Sequence, residues 1–226
     1  MTPAPPAKRH PYHQWAPDAR ALDLVGDKWT LLIVRDLAGG PRRFVELQRV
    51  LPGISTEQLR SRLNRMVADG LLTRRRYREV PPRVDYELTD RARDLLPVVG
   101  ALARWGYRWA WGPPRPGEAV DVGAILRCAP GLVAPAHARG TVELVITRSG
   151  APDAHHVLHL EGGTVTYEAQ AHDGAQARIA GPEDAWVGAL GLEATRGELE
   201  VSGDAALAEA VLGFLAAVGV QEAAVA

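Results

Sequence analysis

The 226-residue chain reads as two α+β domains, and three observations predict it. Gly112-Pro113-Pro114-Arg115-Pro116-Gly117 packs three prolines and two glycines into six residues, a stiff and extended linker near the middle. The charge balance changes sign there. Residues 1–112 hold 20 Lys and Arg against 12 Asp and Glu, while residues 113–226 hold 6 against 15. Both halves mix helical apolar spacing with short β-type runs. The predicted boundaries are a disordered Pro/Ala-rich basic arm at 1–11, a first domain at 12–111, the linker at 112–117 and a second domain at 118–226.

In the first half, Ala19, Leu22 and Val25 mark a short amphipathic helix. Asp27 suits the N-cap of a helix over Lys28–Leu37, with Trp29, Leu32, Ile33 and Leu37 at helical spacing. Gly39-Gly40-Pro41 stops it. Phe44, Leu47, Val50 and Leu51 mark a third helix. Ser55, with Gln58 three residues on, is a capping box opening a fourth helix, which Gly70 closes. Leu72–Val80 and Val84–Leu88 read as a hairpin with Pro81-Pro82-Arg83 at its tip, because proline cannot pair within a ladder. Thr89 then caps a long helix over about Asp90–Trp111. Helix, helix, turn, helix, hairpin, helix is the order of a winged helix-turn-helix.

That arrangement suits double-stranded DNA. An α-helix fits the major groove when its outer face is polar and its inner face is anchored. Opposite the Leu59/Leu63/Met66 stripe lie Thr56, Gln58, Arg60, Ser61, Arg62 and Arg65. Arg can grip guanine with two hydrogen bonds, and Gln can grip adenine. Gln58, Ser61, Arg62 and Arg65 are the candidates for base contacts. Ser55, Thr56 and the helix start suit a phosphate. The hairpin carries Arg74, Arg75, Arg76, Arg78 and Arg83, and its tip suits a minor groove or the backbone. Arg42 and Arg43 add candidate phosphate contacts.

These residues also carry a family resemblance. ALDLVGDKWTLLIVRDL (21–37), GPRRFVELQRVLPGIS (40–55), LRSRLNRMVADGLLTRR (59–75) and VPPRVDYELTDRARDL (80–95) resemble HxlR-type transcriptional regulators. The resemblance implies a homodimer on palindromic promoter DNA, with the 55–69 helix as reader and the 72–88 hairpin as wing. It also implies that the first and last helices of that domain form the dimer interface. Many such regulators carry a reactive cysteine just before the first helix. Here that position is Ala16, followed by Pro17, so thiol chemistry is excluded at that site.

The second half predicts strands at Val142–Thr147, His156–Leu160, Thr164–Gln170 and Ala177–Ile179, a helix at Pro182–Gly191, a strand at Gly197–Ser202 and a helix at Asp204–Val218. With GELEVSGD (197–204) ahead of the closing helix, it resembles a sterol carrier protein-like domain. That resemblance implies a sheet covered by helices around an apolar tunnel, and a hydrophobic small-molecule effector. Trp186, Val187, Leu190, Leu192, Leu212 and Phe214 are the candidate walls.

Several classes are set aside. No apolar run reaches the ~18 residues that a membrane span needs. The start lacks the apolar stretch of a signal peptide, and Cys128 is alone, so a reducing cytoplasmic setting is expected. His155 and His159 share a strand face, but no third metal ligand is evident nearby. No nucleophile–base pair, phosphate loop or carboxylate pair stands out, so neither an enzyme nor a cofactor is expected. The expected function is a DNA-binding regulator, acting as a repressor. The alternative is a small-molecule carrier in which the winged helix serves for dimerisation.

Overall fold

A computed structural model describes residues 11–78, 83–191, 195 and 197–216. The arm (1–10), Pro81 and Pro82 at the hairpin tip, and Leu192 lie outside the described residues. The chain divides into two compact units, up to Leu95 and from Leu96. The sequence places its linker at 112–117. The compact units divide earlier, so the long helix counts with the second unit.

The first unit contains α1 (Pro17–Val25), α2 (Thr30–Asp36), β1 (Arg42–Arg43), α3 (Phe44–Val50), α4 (Thr56–Ala68), β2 (Leu72–Tyr77), β3 (Arg83–Leu88) and α5 (Asp90–Arg93). Ile33, Leu37, Leu47, Leu51, Leu59, Leu63 and Met66 are buried and join α2, α3 and α4. Each such side chain contributes about 1.5–3 kcal/mol by leaving water. Gly70 closes α4 with φ +70°, a left-handed conformation that glycine adopts without strain. The three strands pair antiparallel in the order β1-β3-β2. Arg42 and Arg43 pair with Tyr86 and Asp85, adding a strand that the sequence does not announce.

The predicted Asp90–Trp111 helix is two helices, α5 and α6 (Leu96–Trp109). Pro97 causes the break. It has no N–H to offer the Arg93 carbonyl, and its ring crowds that carbonyl.

In the second unit, α6 is followed by α7 (Val122–Leu126), a 3-10 turn (Ala129–Gly131), β4 (Gly140–Thr147), β5 (Ala154–Glu161), β6 (Thr164–Glu168), β7 (Ala177–Pro182), α8 (Glu183–Leu190), β8 (Glu200–Gly203) and α9 (Ala205–Leu215). The short α7 and the 3-10 turn have no counterpart in the sequence reading. The sheet order is β6-β5-β4-β7-β8, with only the central β4–β7 pair parallel. Val142, Leu144 and Ile146 of β4 and Leu158 and Leu160 of β5 feed one core with α8 and α9. Asp204 caps α9 by accepting the Leu207 N–H at 3.0 Å. α6 meets the 3-10 turn backbone to backbone. A Cβ on Gly100 would fall onto the carbonyl of Gly131.

Candidate nucleic-acid interface

The reader helix is built locally. The Ser55 hydroxyl accepts the Gln58 N–H at 3.2 Å, and the Gln58 side-chain oxygen accepts the Ser55 N–H at 3.1 Å. Such a cap stabilises a helix start by about 0.5–2 kcal/mol. It also fixes where Gln58 stands, using its oxygen and leaving its NH2 group outside the box. Thr56 accepts a hydrogen bond from the Gln48 amide at 2.8 Å, which ties α4 to α3. Ser55, Thr56, Gln58, Arg60, Ser61 and Asn64 are exposed on one side, and Arg65 is half-buried. Arg60 pairs with Glu57 at 3.1 Å in full solvent view.

Arg62 has a different place from the one its polar position suggests. Its guanidinium lies 2.9 Å from Asp27 Oδ2, with only 20% of the side chain exposed. Asp27 also accepts the N–H groups of Trp29 at 2.9 Å and Thr30 at 3.1 Å through Oδ1. One carboxylate therefore holds both the start of α2 and the middle of the reader helix. Asp27 is a positioning residue that the sequence reveals only as a cap.

The wing follows from strand alternation. Residues paired across β2 and β3 share a face, so Arg74, Arg76, Val84 and Tyr86 stand together, and Arg75, Tyr77, Arg83 and Asp85 stand on the other. Arg74, Arg75, Arg76 and Arg78 are exposed. Arg75 pairs with Glu87 at 3.0 Å.

Arg83 does not extend from the tip as the sequence suggests. Its guanidinium lies 2.7 Å from Asp85 Oδ2 and over the Tyr77 ring at 5.3 Å. Asp85 is buried, and Arg43 reaches it from the opposite side at 3.9 Å. The Arg83 hydrogen bond holds the Asp85 carboxyl below its usual range and outweighs the desolvation that opposes it. Asp85 thus stays ionised at neutral pH and clamps the wing to β1. Arg42 is half-buried with its backbone in the sheet, and Arg43 is exposed beside it.

In the second unit, Trp186, Leu190, Leu212 and Phe214 are buried in the common core, with Val187 packed against it. The Trp186 indole donates to the Val145 carbonyl at 3.0 Å. His155 sits 3.0 Å from Glu143, and His159 sits 2.9 Å from the Thr141 hydroxyl. Among the described residues no group of three His, Cys, Asp or Glu is arranged to hold a metal ion. Cys128 is partly buried, and its thiol donates to the Ala124 carbonyl. None of the described helices is long and apolar enough to cross a membrane.

Residues 24–112 match the family model described as HxlR-like helix-turn-helix. An uncharacterized HTH-type transcriptional regulator of Halalkalibacterium halodurans is 43% identical over 96 residues, 42% of this chain and 85% of that protein. One of Synechocystis sp. is 41% identical over 93 residues, 41% of this chain and 69% of that protein. A third, YvaP of Bacillus subtilis, is 34% identical over 90 residues, 40% of this chain and 83% of that protein. The family is one of transcriptional regulators, which are not enzymes. The reader helix, the arginine-bearing wing and these matches occupy the same stretch of sequence, and the chain belongs to the HxlR-like helix-turn-helix family.

Proposed function

We propose that the chain is a DNA-binding transcriptional repressor that reads a palindromic promoter site as a homodimer. The observation that carries the DNA reading is the exposed polar face of α4 beside a wing that presents four arginines to solvent. The helix suits a major groove, and the wing suits the adjacent backbone or minor groove. A carrier protein has no use for that row of arginines, which weighs against the alternative.

The dimer reading rests on α6. Val98, Leu102, Trp105 and Trp109 recur at helical spacing and are 47–65% exposed, although all four are large and apolar. Val99, Gly100 and Tyr107 on its other side are buried. A bare stripe of this kind marks an interaction surface. In the first unit, Trp15 and Leu22 are likewise exposed at α1. A second copy of the same stripes is self-complementary about a two-fold axis, as a palindromic operator requires.

The second unit is the proposed effector domain. Its sheet shares one apolar core with α8 and α9, which suits a hydrophobic small molecule held among Trp186, Leu190, Leu212 and Phe214. A ligand that prefers one arrangement of the dimer would shift DNA affinity.

Two arginines of the reader helix separate base reading from scaffolding. Arg65→Ala is expected to cost ~1–3 kcal/mol on the operator and to relax base preference. Arg62→Ala releases α4 from Asp27, so it is expected to weaken operator and random DNA alike and to lower the melting temperature. Anisotropy titrations of both variants on both DNAs check this. Unchanged discrimination in Arg65→Ala would remove it from the reading face.

A further inference from the structure

Between α4 and the wing the first unit forms an open pocket of about 300 Å3, lined by Phe44, Arg60, Asn64, Arg74, Val84 and Tyr86. Its lining is of two kinds. Phe44, Val84 and the buried Tyr86 supply an apolar floor. Arg60 from the reader helix and Arg74 from the wing bring two guanidiniums to the rim, and Asn64 brings an amide. The strand register explains the convergence. Arg74 stands opposite Tyr86, and Val84 lies two residues before Tyr86, so all three share the face turned to α4. Small-molecule sites combine an apolar lining with a few placed polar groups, from roughly 300 Å3 upward.

We propose that this pocket binds a small organic anion, a flat aryl carboxylate, and that its occupation displaces DNA. Guanidiniums pair with carboxylates through parallel N–H···O bonds, which places the carboxylate between Arg60 and Arg74. The aryl body then covers Phe44 and Val84. A DNA phosphate carries the same charge but no apolar body, so it leaves the floor unused. The Glu57 partner of Arg60 is itself solvent-exposed, which lets an incoming carboxylate replace it. Arg60 and Arg74 belong to the surface proposed to meet DNA, so ligand and DNA compete for them. The displacement rests on the DNA-binding reading; the binding site does not.

The test is calorimetric titration of the full DNA-free chain with benzoate as the probe, with acetate and inorganic phosphate as controls at constant ionic strength. The expected result is saturable one-to-one binding of benzoate, at least tenfold tighter than either control. Arg74→Ala removes one guanidinium from an exposed strand position. Val84→Phe fills the floor and leaves every charge in place. Each is expected to weaken benzoate at least tenfold, with melting curves confirming that the variants fold. Equal binding of acetate or phosphate, no saturation, or indifference to both substitutions overturns the proposal. In a second arm, benzoate releases DNA from the parent chain beyond the effect of chloride at equal ionic strength, and Val84→Phe resists release. DNA binding without benzoate binding overturns the pocket and leaves the proposed function standing. Benzoate binding without any DNA binding does the reverse.

Discussion

Gly100→Ala is expected to remove most of the stability of the second unit. Gly100 and Gly131 let the backbone of α6 and the 3-10 turn touch directly. A methyl group on Gly100 lands on the Gly131 carbonyl, and one on Gly131 lies 2.7 Å from the Gly100 Cα. The obstacle is backbone on both sides, so no rotamer change relieves it. The turn or the helix must move, and both support the core. Arg104 donates to the Gly131 carbonyl at 2.8 Å, and Tyr107 donates to the Leu215 carbonyl at 3.2 Å. Displacing α6 strains both bonds as well as the apolar contacts beneath it. Overpacking usually costs ~1–3 kcal/mol and more where nothing can yield, so a loss of about 3–5 kcal/mol is expected here. Gly106→Ala is the control, since a Cβ there meets open space. Thermal melts followed by near-ultraviolet dichroism would show a large fall for Gly100→Ala and little change for Gly106→Ala. Equal melting temperatures would mean that α6 does not approach the turn this closely.

The double variant Leu102→Asp, Trp105→Asp is expected to give a folded monomer that has lost tight operator binding. Both side chains are more than half exposed, so the protomer gives up little packing. Two carboxylates on each helix instead face their symmetry copies across an apolar interface. Burying unpaired charges there costs several kcal/mol per pair. A dimer on a palindrome gains from linking two half-site contacts, an advantage of roughly 10²–10⁴ in affinity. Affinity for the full operator should therefore fall about a hundredfold or more, towards that of a single half-site. Sedimentation velocity gives the mass, and anisotropy gives the affinity. A variant that remains dimeric would place the interface elsewhere.

What the sequence discloses and what it hides divide along a physical line. The Ser55–Gln58 capping box, the Gly70 stop and the Asp204 cap are local, so their residues announce them. The alternation of Val142, Leu144 and Ile146 is equally local, and it identifies a core strand. The break at Pro97 was available in principle, because proline within a helical pattern ends it, yet the continuous apolar spacing on either side hides it. Arg42–Arg43 forms a strand only because β3 offers it an edge, and two residues carry no period of their own. The same limit governs the side chains. Polarity places Arg62 on the reader face, but its partner Asp27 is 35 positions away. Arg83 reads as a tip residue until buried Asp85 and Tyr77 are brought beside it. The pocket draws its lining from α3, α4, β2 and β3, and no segment contains it.

The central claim is sequence-selective DNA binding by the α4 face and the wing. Its most direct test is a titration of the purified chain against the DNA upstream of its own gene, across several salt concentrations, with random DNA alongside. Each phosphate contact lowers log K by about 0.9 per unit of log salt, so a dimer with a few contacts per subunit should show a slope steeper than roughly −4. Tight binding to the upstream DNA with that slope, and weaker binding to random DNA, is the predicted result. A flat salt dependence, or equal affinity for both DNAs at every salt concentration, would contradict the account.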